Sequence, residues 1–165
     1  MATIGVSTGS YIRPHRNVRV RSFPVDVSQT IRVGDPIILG ADSNEGNRVK
    51  KAGTDPATDR ALIGFAAEAI TTTSTHVPAT DKVLVWLGTQ DAEFRVHCED
   101  AAAIDNDDIS VEYGIVADAT NLIYRLDRSE TTAKVFRVLE LLDAHGDVNG
   151  RLVVSVIAPE RLYGD

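Results

Sequence analysis

Apolar and polar residues alternate through much of this chain with a period of two, which is typical of strands that bury one face. In residues 17–23, Val18 and Val20 fall on one face, while Arg19 and Arg21 fall on the other. Similar patterns predict strands at 37–39, around Val49, at 82–87, 92–98 and 121–127, and in a final pair at 137–142 and 151–157. The predicted inward residues of the middle strands are Val83, Val85, Leu87, Phe94, Val96 and Cys98.

Residues 60–70 fit two patterns. Their alanines, Leu62 and Glu68 favour a helix. Their alternation instead gives a strand with one face formed by Ile63, Phe65, Ala67 and Ala69. Gly64 would destabilise a helix by about 1 kcal/mol, and the neighbouring segments are short strands bounded by turn residues. We therefore predict a strand here.

Turn residues separate the predicted strands. Gly34-Asp35 marks a turn, and Asn149-Gly150 marks a hairpin, because Asn-Gly suits two successive residues with positive φ. The strongly apolar strands on either side of that hairpin exceed what a small monomer must bury, which favours a subunit interface there.

A helical turn or two fits residues 99–108, and no longer amphipathic helix pattern occurs. The predicted fold class is therefore all-β (mainly β). We expect a compact β-barrel or β-sandwich-like domain over residues 17–165, an extended N-terminal arm over residues 1–16, and little helix. The length of 165 residues suits one domain with a real core.

Charge is unevenly distributed along the chain. The net charge is −7, but residues 1–32 carry five Arg and one Asp, a net +4, and the remainder carries −11. A basic stretch on an acidic body suggests a contact arm, and its predicted contact residues are Arg13, His15, Arg16, Arg19 and Arg21. A solvated edge with outward Arg is the alternative. The acidic body argues against a large nucleic-acid footprint.

Motifs of catalysis and cofactor binding are absent: neither common phosphate-binding loop, nor H-E-x-x-H, nor G-x-S-x-G occurs. His97 and Glu99 share a strand face, but Cys98 points to the other, so this triplet is a poor metal site. Residues 143–150 resemble a calcium loop without its Gly and Glu. We predict no catalytic residue, no metal ligand and no cofactor. No apolar run is long enough to cross a bilayer, and we expect neither a signal peptide nor a membrane partner.

Three stretches together resemble the small capsid decoration, or cement, proteins of tailed bacteriophages. They are "VGDPIILG…VKKAG…ALIGFAAEAI", "GIVADATNLIYRLDRSETTAKVFRVLELLD" and "GDVNGRLVVSVI". The resemblance covers roughly residues 30–160. It implies a β-rich homotrimer without catalytic activity, assembled in the host cytoplasm and bound to the major capsid protein on the outer virion surface. It also implies that an N-terminal segment contacts the shell.

Two other classes of function stay open. A β-barrel binding module for nucleic acid or a small ligand is the first, but aromatic residues make up only 5 % of the chain and Trp86 has no Arg cluster near it in sequence. An enzyme is the second, with His97 and Glu99 as its best candidates.

Overall fold

The computed structural model describes residues 10–40, 48–53, 62–99, 103–117, 123–130 and 132–157. Within these ranges the secondary structure is almost entirely β, which confirms the predicted fold class. The strands are β1 (Arg13–Arg16), β2 (Val20–Pro24), β3 (Thr30–Ile31), β4 (Pro36–Leu39), β5 (Val49–Lys51), β6 (Leu62–Ala66), β7 (Ile70–Thr71), β8 (Lys82–Leu87), β9 (Glu93–His97), β10 (Glu112–Ala117), β11 (Tyr124–Asp127), β12 (Phe136–Leu141) and β13 (Arg151–Val156). One 3₁₀ turn, Asn106–Asp108, lies among them, within the predicted helical stretch.

The strands form three antiparallel sheets. The large sheet has the order β1-β9-β13-β12-β10-β11, and the central sheet has the order β2-β8-β6-β4-β5. A short ribbon pairs β3 with β7. The end of the large sheet returns toward β9 through an isolated bridge between Cys98 and Leu126, but the sheets described do not close into a barrel. Of the two architectures predicted, the sandwich-like one is therefore the closer.

The main core fills the space between the large and central sheets. Phe65 of the central sheet lies with its ring centroid 4.9 Å from that of Phe94 and 5.9 Å from that of Phe136, both on the large sheet. Aromatic pairs at these separations contribute about 0.5–1.5 kcal/mol beyond area burial. Leu152 and Val154 of β13 are fully buried in the same cluster. These contacts fix the two sheets face to face.

A second core lies on the opposite face of the central sheet. It contains Val83 and Val85 of β8 with half-buried Leu87 beside them, as their period-two spacing predicted. Ile31 and Ile70 of the short ribbon pack in the same cluster. The central sheet is therefore covered on both faces, and β6 is buried along its whole length.

The segment 60–70 contains a strand, as predicted, over Leu62–Ala66. The predicted shared face of Ile63 and Phe65 is wrong, because Phe65 packs in the main core and Ile63 in the second core. The cause is an irregularity in the register between β4 and β6, where Ile37 pairs with Gly64 but Ile38 pairs with Leu62. An extra residue in one strand shifts the following side chains to the other face.

The last hairpin, β12–β13, also forms where it was predicted. Asn149 has φ +58°, but Gly150 is not in the positive-φ region, so the expected pair of positive-φ residues does not occur. Gly150 is required for another reason: an added Cβ would lie 2.4 Å from Cδ1 of Ile104. Four strands, β1, β3, β7 and β10, were not predicted.

Candidate interaction surface

The N-terminal segment is anchored where residues 10–13 cross the turn before β4. Gly34 has φ +85°, and an added Cβ would lie 2.4 Å from the Ser10 carbonyl oxygen. The Ser10 hydroxyl donates to Oδ1 of buried Asp35 at 2.8 Å and accepts from the Tyr124 N–H at 3.1 Å. Ser10 thereby joins the central sheet to the large one, and residues 10–16 pack on the domain rather than project from it. Residues 1–9 of the predicted arm lie outside the described residues.

Tyr11 adds a second attachment on the outer face of the large sheet. Its ring centroid lies 4.8 Å from that of His97, and the Arg125 guanidinium lies 5.8 Å from the Tyr11 centroid. The His97 ring is within 3.2 Å of the Asn149 carbonyl oxygen through Nδ1. Burial lowers the pKa of His97, with the nearby arginines acting in the same direction. The His97 ring therefore packs against Tyr11, which in turn contacts Arg125.

Two of the five predicted contact residues, Arg13 and His15, are not available on the surface. Arg13 is half-buried, and its Nη1 donates to the carbonyls of Ser10 and Ile12 at 2.5 and 2.8 Å. Burial, followed by the charge of Arg95, lowers its pKa. His15 lies where the register between β1 and β9 shifts, and its Nε2 is buried. Arg13 therefore helps to hold the segment in place, whereas the buried Nε2 of His15 has no hydrogen-bond partner among the described residues.

The other three predicted contact residues, Arg16, Arg19 and Arg21, are exposed. Nε of Arg16 is 3.9 Å from a carboxylate oxygen of Glu93, and 62 % of the Arg16 side chain is exposed. Arg21 lies 5.6 Å from the ring centroid of Phe23. Exposed contacts of this kind contribute about 1 kcal/mol or less at a surface.

The three arginines follow the edges of both main sheets. β1 is an end strand of the large sheet, and β2 is an end strand of the central sheet. The connecting residues 17–19 span at most roughly 11 Å, and Asn17 turns the chain with φ +55°. The three arginines therefore lie within six residues of sequence at the end strands of both sheets, Arg16 on the large sheet and Arg19 and Arg21 at the central sheet. We call Arg16, Arg19 and Arg21 the basic edge.

An apolar area next to this basic edge was not predicted. Val20 of β2 is 53 % exposed and Leu84 of β8 is 40 % exposed. They lie on the same face, because Val20 pairs with Trp86 and Ser22 pairs with Leu84. Trp86 is half-buried against the main core, so its ring is not an open stacking surface. Alternation separated Val20 from the arginines, but it did not indicate that Val20 would be exposed. Pro24, at the end of the same strand, is a residue typical of a sheet edge.

The triplet at residues 97–99 does not form a metal site among the residues described. Cys98 is fully buried, and burial raises the pKa of its thiol to about 11. Burial, followed by the charge of Asp127, raises the pKa of Glu99. No group of three or more His, Cys, Asp or Glu side chains in the described part of the chain is arranged to hold a metal ion.

Acidic side chains of the last loop bond to the chain itself. Asp143 accepts from Nη2 and Nε of Arg151 at 2.6 and 3.0 Å, and these bonds lower the pKa of Asp143 to about 2. Asp147 accepts from the Ala144 N–H at 3.0 Å. These carboxylates order the loop between β12 and β13, which explains their spacing without calcium.

Asp108 is the centre of a second network of charged and polar groups that bond to one another. The buried Asp108 carboxylate accepts from the Tyr113 hydroxyl at 2.6 Å and from Nε of Arg128 at 2.9 Å. It also accepts from the Asp105 N–H at 2.7 Å, which completes the cap of the 3₁₀ turn. The hydrogen-bonding capacity of this buried carboxylate is thereby filled by donors of the chain itself.

No family model, curated protein or solved structure matches this chain. In the part of the chain that the structure describes, no helix has the length and hydropathy needed to span a membrane.

Proposed function

We propose that this protein is a structural virion protein that binds the outer surface of a phage capsid and cements neighbouring major-capsid subunits. The all-β sandwich-like domain agrees with the fold that the resemblance implies. The observation that carries the proposal is the basic edge on a chain whose residues beyond 32 carry a net −11.

The chemistry of the basic edge suits a protein shell with surface carboxylates. Guanidinium groups form paired, charge-assisted hydrogen bonds with carboxylates. Arg16, Arg19 and Arg21 are exposed; Arg16 and Arg21 lie on strands and Arg19 directly precedes β2, so little backbone ordering entropy opposes their binding. Many copies on one particle would add to this through effective concentration.

A homotrimer is part of the proposal and rests on the resemblance alone. The hairpin β12–β13 no longer argues for a subunit interface, because Leu152, Val154 and Val156 are buried in the chain's own core. Light scattering during size-exclusion chromatography measures the assembly directly. We expect three times the chain mass, and a clean monomer would contradict the trimer.

The experiment that tests the basic edge compares two variants for binding to empty shells that lack this protein. The test variant changes Arg16, Arg19 and Arg21 to Ser. The control changes Lys134 and Arg137 to Ser, since their side chains are 41 % and 54 % exposed and lie at β12, three strands away from β1 in the large sheet. Arg13 is left intact because it holds the N-terminal segment.

Co-sedimentation should show at least about tenfold weaker binding of the test variant and unchanged binding of the control. Melting curves establish that both variants fold. Equal occupancy of the shells by the wild type and the test variant would exclude the basic edge as the contact surface.

A further inference from the structure

The free edge of the central sheet consists of the backbone of β2. The registers of β2 and β8 pair Val20 with Trp86 and Ser22 with Leu84. The Leu87 N–H bonds the Arg19 carbonyl, and the Val25 N–H bonds the Asp81 carbonyl. In an antiparallel ladder, hydrogen-bonded residues alternate with residues whose backbone groups point away. Residues 19, 21, 23 and 25 therefore bond β8, whereas Val20 and Ser22 direct their N–H and carbonyl groups outward.

This edge is accessible over several consecutive residues. Val20, Arg21 and Ser22 are all exposed. Pro24 has no N–H, and from there on the chain pairs with β5, because Val25 forms a parallel bridge with Val49 and the Asp26 N–H bonds the Val49 carbonyl. An added strand would find two N–H donors and two carbonyl acceptors, those of Val20 and Ser22, in the arrangement used by proteins that bind extended peptides at a sheet edge.

The side chains beside this edge define what kind of strand fits. Arg19 and Arg21 project to one face, and Val20 projects to the other beside Leu84. A second copy of β2 would place Arg21 against the arginines of its partner, and like charges opposite one another are unfavourable. An extended segment with acidic residues on one face and apolar residues on the other matches both faces.

We infer that β2 accepts an extended acidic–apolar strand from the capsid subunit by strand addition to the central sheet. The inference rests on the proposed function for the identity of its partner. It goes beyond that function in assigning backbone hydrogen bonds of Val20 and Ser22 to the contact, with carboxylates on Arg19 and Arg21.

The test variant is Ser22→Pro, and its matched control is Ser22→Ala. Proline removes the outward N–H at residue 22 and leaves the bonds to β8 intact, because residue 22 makes none of them. Alanine removes the hydroxyl and keeps the N–H. The probe is a short synthetic peptide in which Val and Glu alternate, with a peptide of alternating Val and Lys as its control.

The wild type and S22A should bind the Val-Glu peptide equally, and S22P should bind it at least about tenfold more weakly. The Val-Lys peptide should not bind. Equal binding of the Val-Glu peptide by S22A and S22P, or no binding by the wild type, would overturn strand addition. These results do not depend on shells, so they separate this inference from the proposed function.

Amide hydrogen exchange on the wild type gives a readout that requires no folded proline variant. Adding the Val-Glu peptide should slow exchange of the Val20 and Ser22 N–H groups specifically, because these are the donors that point outward. Unchanged exchange at both residues with saturating peptide would contradict the inference. On shells, S22P should lose occupancy relative to S22A, and equal occupancy would also contradict it.

Discussion

The Ser10 hydroxyl donates a 2.8 Å hydrogen bond to the buried Asp35 carboxylate across 25 residues of sequence. The same carboxylate accepts from the Arg32 N–H at 2.9 Å and lies 3.6 Å from Nζ of Lys51. Burial raises the pKa of Asp35, against the opposing effect of these donors. The Ser10–Asp35 hydrogen bond therefore ties the N-terminal segment to a buried carboxylate that needs hydrogen-bond donors.

Ser10→Ala should lower the free energy of unfolding by about 1–3 kcal/mol, because it removes a donor from a buried carboxylate. The Tyr124 N–H loses its acceptor in the same variant. Urea denaturation measures the change. Ser22→Ala is the matched control, and since Ser22 is exposed it should stay within about 0.5 kcal/mol of the wild type. Equal free energies of unfolding for the two variants would show that the Ser10–Asp35 hydrogen bond does not stabilise the fold.

Phe65→Ala should destabilise the protein by about 3–5 kcal/mol, since the ring fills the space between Phe94 and Phe136. Leu84→Ala is the control, because Leu84 is 40 % exposed and its truncation opens no cavity. Chemical denaturation of both variants checks this. A loss below about 1 kcal/mol for Phe65→Ala would show that the ring does not join the two sheets.

Cys98 should be inert to thiol reagents in the folded protein. Its side chain is fully buried, and a pKa of about 11 leaves little thiolate near pH 8. Absorbance after adding an aromatic disulfide reagent should show no reaction until urea unfolds the chain. Rapid stoichiometric labelling of the native protein would contradict the burial of this strand end.

The Asp143–Arg151 pair should make part of the stability dependent on pH. The folded pKa of Asp143 is about 2, below its ordinary value of 3.8. Its contribution is therefore fully present above that ordinary value and is lost as the pH falls through about 2. Asp143→Asn should melt at a lower temperature than the wild type near pH 6, and the difference should shrink near pH 2. A difference independent of pH would contradict the pairing.

Most of the longer strands could be predicted from the sequence because alternation over five or six residues is a strong signal, although the six-residue strand β10 was missed. Phe94, Val96 and Cys98 are fully buried, as their spacing predicted. The short strands β3 and β7 have two residues each, which is too few to show a period. The extra residue of β6 is Ile63, beside Gly64, and a glycine inside a strand often marks such a bulge. Period-two spacing alone could not place Ile63 on the correct face.

The interaction surface could be predicted only in part. The concentration of arginines is visible in the sequence, and three of them are exposed as expected. The half-buried position of Arg13 could not be predicted, because it depends on carbonyl groups of a segment packed against Gly34. The free edge of β2 depends on the strand order of the central sheet, which is set by contacts between distant parts of the chain.

Binding of the wild-type protein to empty shells that lack it tests the central claim most directly. Co-sedimentation over a range of protein concentrations and at two salt concentrations measures the number of copies bound. We expect saturable binding that becomes weaker at the higher salt concentration, because salt screens the charges of the basic edge. Failure of the folded protein to sediment with the shells at low salt would contradict the proposed function.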